Sequence, residues 1–223
     1  MKYIFWGAIA YVLLSLTACN TTRFVKPLAK KQVAVGVDFG GPLIDFVGAK
    51  IPVPFSSITT GYGIDSTLTA FAGFHTTAIA FGTVQLDLGV VKELYRSRKA
   101  YIPSISVAPV VNMMLDGFDG NFRAYPQVDV NFYWQYWKDK PHYFYVSVNS
   151  WFDFYPKVYT TLPTNIYQPA FALGHTFENK KMRYTLEAKY MGVNENSGGS
   201  PVVYNGIGGK GSFGVYLSIF RKF

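Results

Sequence analysis

Residues 122–135 read Phe-Arg-Ala-Tyr-Pro-Gln-Val-Asp-Val-Asn-Phe-Tyr-Trp-Gln, and they alternate between two chemical characters without a break. The alternate positions from Phe122 to Trp134 are apolar, whereas those from Arg123 to Gln135 carry polar groups. A period of two is typical of a β-strand whose two faces have different surroundings. The segment is also long enough to cross a bilayer, since a tilted spanning strand needs about 9–11 residues.

Nine further segments repeat this alternation, with Gly, Pro, Asn and Asp between them, and no stretch has a convincing helical stripe. They are 32–39, 55–63, 67–75, 80–91, 101–111, 142–153, 168–177, 182–191 and 212–222. We therefore predict an all-β domain over 32–223, a closed antiparallel up-and-down transmembrane β-barrel of about ten strands, with eight or twelve as alternatives. Pro103, Pro109 and Pro126 are then expected at bulges or near strand ends, because proline cannot donate to a ladder.

The composition favours lipid on the outside of this barrel. Only 15% of the residues are charged and 18% are aromatic, and the mean hydropathy is +0.12. A soluble calyx, which would turn its apolar track inward, is the main alternative. Against it, the polar tracks are poor in Lys and Glu, and aromatic residues crowd the strand ends as in a membrane belt. These aromatic residues are Trp134, Tyr136 and Trp137 on one side and Trp151, Phe152, Phe154 and Tyr155 on the other.

The polar track places charged side chains of both signs in the lumen. In a barrel of this size the interior is mostly filled by side chains, so we expect a buried network of ion pairs and hydrogen bonds. A narrow polar path through the barrel is the alternative. The predicted members are Asp38, Asp87, Arg123, Asp129, Asp153, Arg183, Glu187 and Lys189, with Lys222 as a further candidate.

Residues 1–19 begin with Met-Lys, continue with an apolar run from Tyr3 to Leu16, and end in Leu16-Thr17-Ala18-Cys19. The run is too short for a spanning helix, which needs about 20 residues, and has the layout of a secretory signal. Its last four residues resemble the bacterial lipobox. This resemblance implies a signal peptide over 1–18, cleavage before Cys19 and acylation of Cys19. We expect residues 19–31 to form a lipid-anchored tether.

The anchor and the loops together suggest an orientation. Asn20 follows the cysteine, and lipoproteins that stay at the inner membrane often carry Asp there, so the resemblance favours the outer membrane and its periplasm-facing leaflet. With a periplasmic N-terminus, four of the five predicted outside loops are longer than every predicted inside turn, which is typical of outer-membrane barrels.

The C-terminal strand ends in Phe223, with Phe213, Val215, Leu217 and Ile219 on the same track. It resembles the signal by which the barrel assembly machinery recognises outer-membrane barrels. Arg221 interrupts the track, at a cost of only about 0–1 kcal/mol near the membrane interface.

Little in the sequence indicates catalysis. The three histidines lack metal-ligand spacing and the single cysteine cannot join them, so we predict no metal and no cofactor. The net charge is +8, but the cations fall in short turn clusters rather than along a helix face, which argues against nucleic-acid binding. His175-Thr176 only faintly suggests a hydrolase.

The leading hypothesis is a lipid-anchored outer-membrane barrel with a structural, assembly or accessory role, in contact with outer-membrane lipid and belonging to an envelope protein complex. The alternatives are a small pore or transporter, a lipid-modifying enzyme, and a periplasmic ligand-binding calyx.

Overall fold

The structure is a computed structural model, and it describes residues 23–46, 48–137, 141–155, 165–196 and 204–223. The predicted signal peptide and Cys19 lie outside these residues. The elements, in chain order, are β1 (Val33–Phe46), β2 (Ala49–Pro52), β3 (Phe55–Gly63), β4 (Leu68–His75), α1 (Thr76–Ile79), β5 (Thr83–Tyr95), β6 (Ser104–Asp116), β7 (Phe122–Gln135), β8 (Tyr143–Phe152), β9 (Tyr167–Glu178), β10 (Met182–Asn196) and β11 (Lys210–Lys222).

Ten of the strands, β1 and β3–β11, form the barrel wall. Each pairs antiparallel with its neighbour along the chain, and β11 pairs with β1 from Ala34↔Lys222 to Pro42↔Gly214. The sheet is therefore closed, and the predicted ten-strand antiparallel barrel is confirmed. Closure leaves no open sheet edge on the wall, which a sheet in hydrocarbon requires.

Strand β2 was not predicted, because its sequence lies within an expected loop. It pairs only with the last residues of β1, from Leu43↔Pro52 to Phe46↔Ala49, so the two form a hairpin beyond the wall. Gly40 stands where β1 nears this hairpin. Its φ of 131° is open to glycine, and a Cβ there would overlap the Val215 carbonyl.

The barrel has two ends. The near end holds residue 33, the C-terminus and the connections 64–67, 96–103, 136–142 and 179–181, and the far end holds the remaining connections between strands. At the far end, strands run further than predicted, to Asp116 in β6 and Asn196 in β10. The predicted asymmetry of loop length is therefore partly wrong: three far-end connections, 43–54 with its hairpin, 153–166 and 197–209, exceed every near-end connection, whereas 76–82 and 117–121 do not.

The prolines show how the ladder accommodates a missing donor. Pro103 directly precedes β6, as predicted, and Pro126 lies in β7 just beyond its last pair with β8, Gln127↔Trp151. Pro109 lies in the middle of β6, so its predicted place near a strand end is wrong. The β5–β6 pairing is interrupted there, between Gly89↔Val110 and Lys92↔Val107, which spares a ladder bond that proline could not make.

The two faces of the wall differ as the alternation predicts. Large apolar side chains are exposed on the outside of nine of the ten wall strands, and on β4 the outward side chains are half-buried. Buried polar and charged side chains point into the barrel. On β5 the outward positions from Val84 to Leu94 are apolar except Lys92, which lies close to the near end and donates to Thr67 Oγ1. This track spans about 25 Å at a tilt of about 40°. That height matches the apolar band of outer-membrane barrels. The soluble-calyx alternative required the opposite orientation and is excluded.

The aromatic belts are only partly as predicted. At the near end, Trp134 stacks on Phe144 outside the wall, with ring centroids 4.8 Å apart. At the far end, Phe152 stacks on Phe154 at 6.4 Å, but Trp151 points inward and stacks on Tyr125 at 5.4 Å. Tyr155 also packs against this inner pair. Trp151 and Tyr155 therefore belong to the lumen rather than to a belt.

Helices contribute little to this fold. Within the described ranges, no helix is both long enough and apolar enough to cross a membrane.

Candidate functional site: the lumen and its N-terminal plug

Residues 23–31 are here called the plug: residues 23–28 lie inside the barrel, and residues 29–31 are exposed at its near end. Phe24 is 1% exposed and Leu28 is 2% exposed. The chain then reverses at Lys31, whose φ is 65°, and enters β1. The predicted tether over 19–31 is therefore wrong for this part. The apolar side chains of the plug do not alternate as in a strand, but they pack against apolar wall side chains within the lumen, here called the seat.

The seat consists of two groups of wall side chains. Phe24 and Leu28 pack with Ala34, Phe71, Val91, Ala108, Val110 and Phe220. The Phe24 ring lies 5.0 Å from the Phe220 ring and 5.8 Å from the Phe71 ring. Val25 packs instead with Tyr133, Tyr143 and Tyr145 on the other side of the lumen. Full burial of such side chains contributes about 1.5–3 kcal/mol each, so the plug is held mainly by apolar contact.

Polar contacts fix the path of the plug backbone. The Leu28 amide donates to Thr69 Oγ1 at 2.7 Å, and Ser106 Oγ donates to the Val25 carbonyl at 2.5 Å. Arg183 Nη1 donates to the Lys26 carbonyl at 3.4 Å. In each of these three bonds the partner of the plug backbone is a wall side chain, so this part of the plug is not paired as a strand of the sheet.

Arg23 carries the plug's charge deepest into the lumen. Its guanidinium forms an ion pair with Asp87, which lies eight residues from the near end of β5. His75 Nε2 lies 2.8 Å from Asp87 Oδ2 and 3.1 Å from Arg23 Nη2. Arg23 also donates to Thr59 Oγ1 at 3.4 Å, and this hydroxyl donates to Asp38 Oδ2 at 2.8 Å. Two predicted lumen carboxylates are thus joined to the plug.

A second ionic cluster surrounds Lys26 near the ends of β9, β10 and β11. Glu178 Oε1 accepts from Lys222 Nζ at 2.6 Å and from Arg183 Nη2 at 3.1 Å. Burial lowers the pKa of Lys26, and the nearby Glu178 carboxylate acts in the opposite direction. The Glu178 carboxylate thus binds both Lys222 and Arg183 at the near-end rim.

The remaining predicted lumen residues lie further along the barrel. Glu187 accepts from the Tyr145 hydroxyl at 2.6 Å, and its other oxygen lies 3.6 Å from Lys189 Nζ. Asp129 accepts from Gln127 Nε2 at 2.7 Å. Arg123 and Asp153 are only half-buried and lie at the far end. There Arg123 sits 5.6 Å from the Tyr155 ring, and Asp153 accepts from the Tyr155 amide at 3.0 Å.

Sequence reasoning missed three buried charges. Arg23 falls in the expected tether, and Glu178 falls in an expected turn although it ends β9. Glu93 falls in a predicted loop, but β5 extends to Tyr95. Glu93 is buried, forms an ion pair with Arg96 at 2.5 Å and accepts from the Tyr133 hydroxyl. Glu178 could have been found by extending the alternation of its strand by one residue, but Glu93 could not, because Val91 and Lys92 break the alternation before it.

The only residue pair that suggested catalysis is separated by the sheet. Thr176 points inward, and its hydroxyl lies 2.9 Å from Thr185 Oγ1. His175 faces outward, where its Nε2 lies 2.7 Å from the Tyr136 hydroxyl. Adjacent residues of a strand point to opposite faces, so these two cannot act as nucleophile and base. Among the described residues, no group of three or more His, Cys, Asp or Glu side chains could hold a metal ion.

Phe223, the residue of the predicted assembly signal, lies at the near-end rim. Its amide donates to the Val33 carbonyl at 2.8 Å. Its ring is 66% exposed, and the Arg221 guanidinium lies 5.1 Å from it.

No protein-family model matches the chain, and no curated protein matches it. Solved structures similar to it include an outer membrane channel from Pseudomonas putida F1, with a TM-score of 0.49, 9% identity, and coverage of 92% of this chain and 100% of that one. The translocator domain of the autotransporter NalP from Neisseria meningitidis gives a TM-score of 0.46 and 11% identity, with coverage of 96% of this chain and 92% of that one. The N-terminal β-barrel domain of Pseudomonas aeruginosa OprF gives a TM-score of 0.34 and 7% identity, with coverage of 88% of this chain and 100% of that one. Likeness at this level does not transfer a function.

Proposed function

We propose that this chain is a lipid-anchored outer-membrane β-barrel with a structural or accessory role in the cell envelope, closed at rest by its own N-terminal segment. The observation that carries the proposal is the plug: Phe24, Val25 and Leu28 are each at most 2% exposed inside a closed ring of strands. A barrel occupied in this way is suited to stay in a membrane without leaking solutes.

The outer surface supports the membrane part of the proposal. Exposed apolar side chains as large as Phe39, Leu88, Phe171 and Leu186 stand on the wall, each 49–56% exposed. Soluble monomers rarely expose contiguous apolar patches beyond a few hundred Å², and an apolar face around the whole barrel needs lipid to cover it. A closed β-barrel is the sheet architecture that satisfies every backbone group in hydrocarbon.

The lipid anchor rests on the lipobox resemblance at Cys19. Several acyl chains would bury many CH₂ groups at about 0.8 kcal/mol each, which makes such an anchor stable. We place the near end on the periplasmic side, where the barrel assembly machinery and partners in an envelope protein complex would meet the chain.

Membrane insertion is tested by extraction and by gel mobility. We expect the protein to remain with membranes in alkaline carbonate, to be released only by detergent, and to migrate faster on an unboiled gel than after boiling. Release by carbonate together with unchanged mobility would refute the membrane barrel.

Anchoring is tested separately by metabolic labelling with a radioactive fatty acid. We expect label in the wild-type chain and none in Cys19→Ser, while both keep the mobility shift because the barrel itself spans the membrane. Label that persists in Cys19→Ser would refute acylation at this residue and leave the barrel unaffected.

A further inference from the structure

The wall is shaped to receive the plug. Three glycines on β3 and β4 face it: a Cβ at Gly61 would come within 2.6 Å of Phe24 Cζ, while a Cβ at Gly63 or Gly73 would overlap the Ala29 carbonyl or the Arg23 guanidinium. Each of these positions has room for the plug only because it lacks a side chain. The seat is therefore specific.

The wall does not need the plug in order to close. Strands β1 and β11 pair over nine residues, and the plug contributes no strand to the sheet. The plug backbone is held by hydrogen bonds with wall side chains, such as those of Thr69 and Ser106, and by one backbone bond at its end, from the Lys31 amide to the Gly63 carbonyl. Removal of the plug would thus leave the ladder of the barrel intact and vacate the space that its three apolar side chains occupy.

The charge of the lumen changes when the plug leaves. Within the described residues, six buried carboxylates line the wall, and four wall cations only partly balance them: the buried Arg183 and Lys189, the nearly buried Lys222, and Arg96, which pairs with Glu93. Arg23 pairs with Asp87 and Lys26 lies beside Glu178, so these two plug cations face wall carboxylates, whereas Lys30 and Lys31 are exposed. An emptied lumen is net negative. The six carboxylates are Asp38, Asp87, Glu93, Asp129, Glu178 and Glu187.

We propose that residues 23–31 are a displaceable plug, and that the barrel without it conducts small cations in preference to anions. The proposal rests on the membrane barrel proposed above. A narrow lumen lined by one sign of charge attracts counter-ions and repels ions of like charge. The resting chain is closed, and the open form is reached when the plug is drawn out of its seat.

Two variants displace the plug by independent means. Gly63→Val fills the seat against the Ala29 backbone and removes no plug residue. Arg23→Glu keeps every wall residue but places a carboxylate beside Asp87. Thr60→Val is the matched control, because Thr60 neighbours the seat on β3 but points outward.

The experiment records single channels from the purified full-length chain in a planar bilayer with a KCl gradient. We expect a silent wild type and a silent Thr60→Val. In Gly63→Val and Arg23→Glu, the open fraction should rise by at least about a hundredfold, since a buried pair or a packed seat is lost. The reversal potential should show preference for K⁺ over Cl⁻, and adding Asp87→Asn to Gly63→Val should reduce this preference.

Four results would overturn the inference. Equal conductance in wild type and variants would mean that the plug does not close the barrel, and preference for Cl⁻ would refute the charge argument. Silent variants that float with liposomes and keep the unboiled mobility shift would show that the wall alone closes the lumen, with the membrane barrel unharmed. Failure of the wild type itself to float with liposomes and to show the mobility shift would refute the proposed function as well.

Discussion

Replacing Leu88 with arginine is expected to destabilise the folded barrel by about 2–4 kcal/mol, the cost of an arginine on the lipid face near the bilayer midplane. Leu88 is 50% exposed and points outward from the middle of β5. It pairs with Ala72 on one side and Val111 on the other, so no rim is close by. The introduced guanidinium would have to reach water along the apolar outer surface.

The same strand supplies the control. Leu94 also points outward and is 65% exposed, but it lies at the near end of β5. Leu94→Arg should cost only about 0–1 kcal/mol, because the side chain there reaches the membrane interface. Leu88→Met keeps the volume and the apolar character, and it should leave stability nearly unchanged.

The measurement is equilibrium unfolding by guanidinium chloride in lipid vesicles, with the unboiled gel shift as a second readout. The depth dependence is the decisive comparison, since a general intolerance of arginine would affect both positions. Equal costs at residues 88 and 94, or no cost at residue 88, would show that the outer face of the wall does not lie in hydrocarbon.

Alternation along single segments was enough to predict most of this fold. The period of two identified ten strands and the inward side of each, because a residue's face depends only on its place in its own strand. Contacts across the lumen could not be predicted in this way. Arg23 meets Asp87 because the closed wall brings β3, β4 and β5 around one segment, and no local pattern in residues 20–31 signals that seat.

The ends of strands were the weakest part of the prediction. Asn112 suggests a turn, yet β6 continues through it, since its pairs with Asp87 and Tyr125 outweigh local turn preference. Gly192 keeps a turn-like φ of 59°, and β10 resumes its pairing with β11 only at Asn196. The same error hid Glu93 and Glu178, which fell just outside predicted strands. Extending each strand until its alternation fails would recover Glu178 but not Glu93, because Val91 and Lys92 break the pattern of β5 first.

Glu178→Gln is expected to reduce the free energy of unfolding by about 3–5 kcal/mol, the usual consequence of leaving buried charges without their partner. Glu178 is 6% exposed, and its Oε1 binds both Lys222 Nζ and Arg183 Nη2. The side chains of Arg183 and Lys222 are only 2% and 7% exposed. Glutamine keeps the shape of the side chain and one acceptor oxygen, so the loss of unfolding free energy measures the effect of removing the charge.

A second substitution separates this ionic effect from a packing defect. Lys222→Met in the Glu178→Gln background removes one of the stranded cations while keeping an unbranched apolar chain, so it should restore part of the lost stability. Asp119→Asn removes an exposed carboxylate at the far end and should change stability by no more than about 0.5 kcal/mol. If the double variant is less stable than Glu178→Gln alone, Lys222 contributes packing rather than stranded charge, and the near-end rim is not held by this carboxylate.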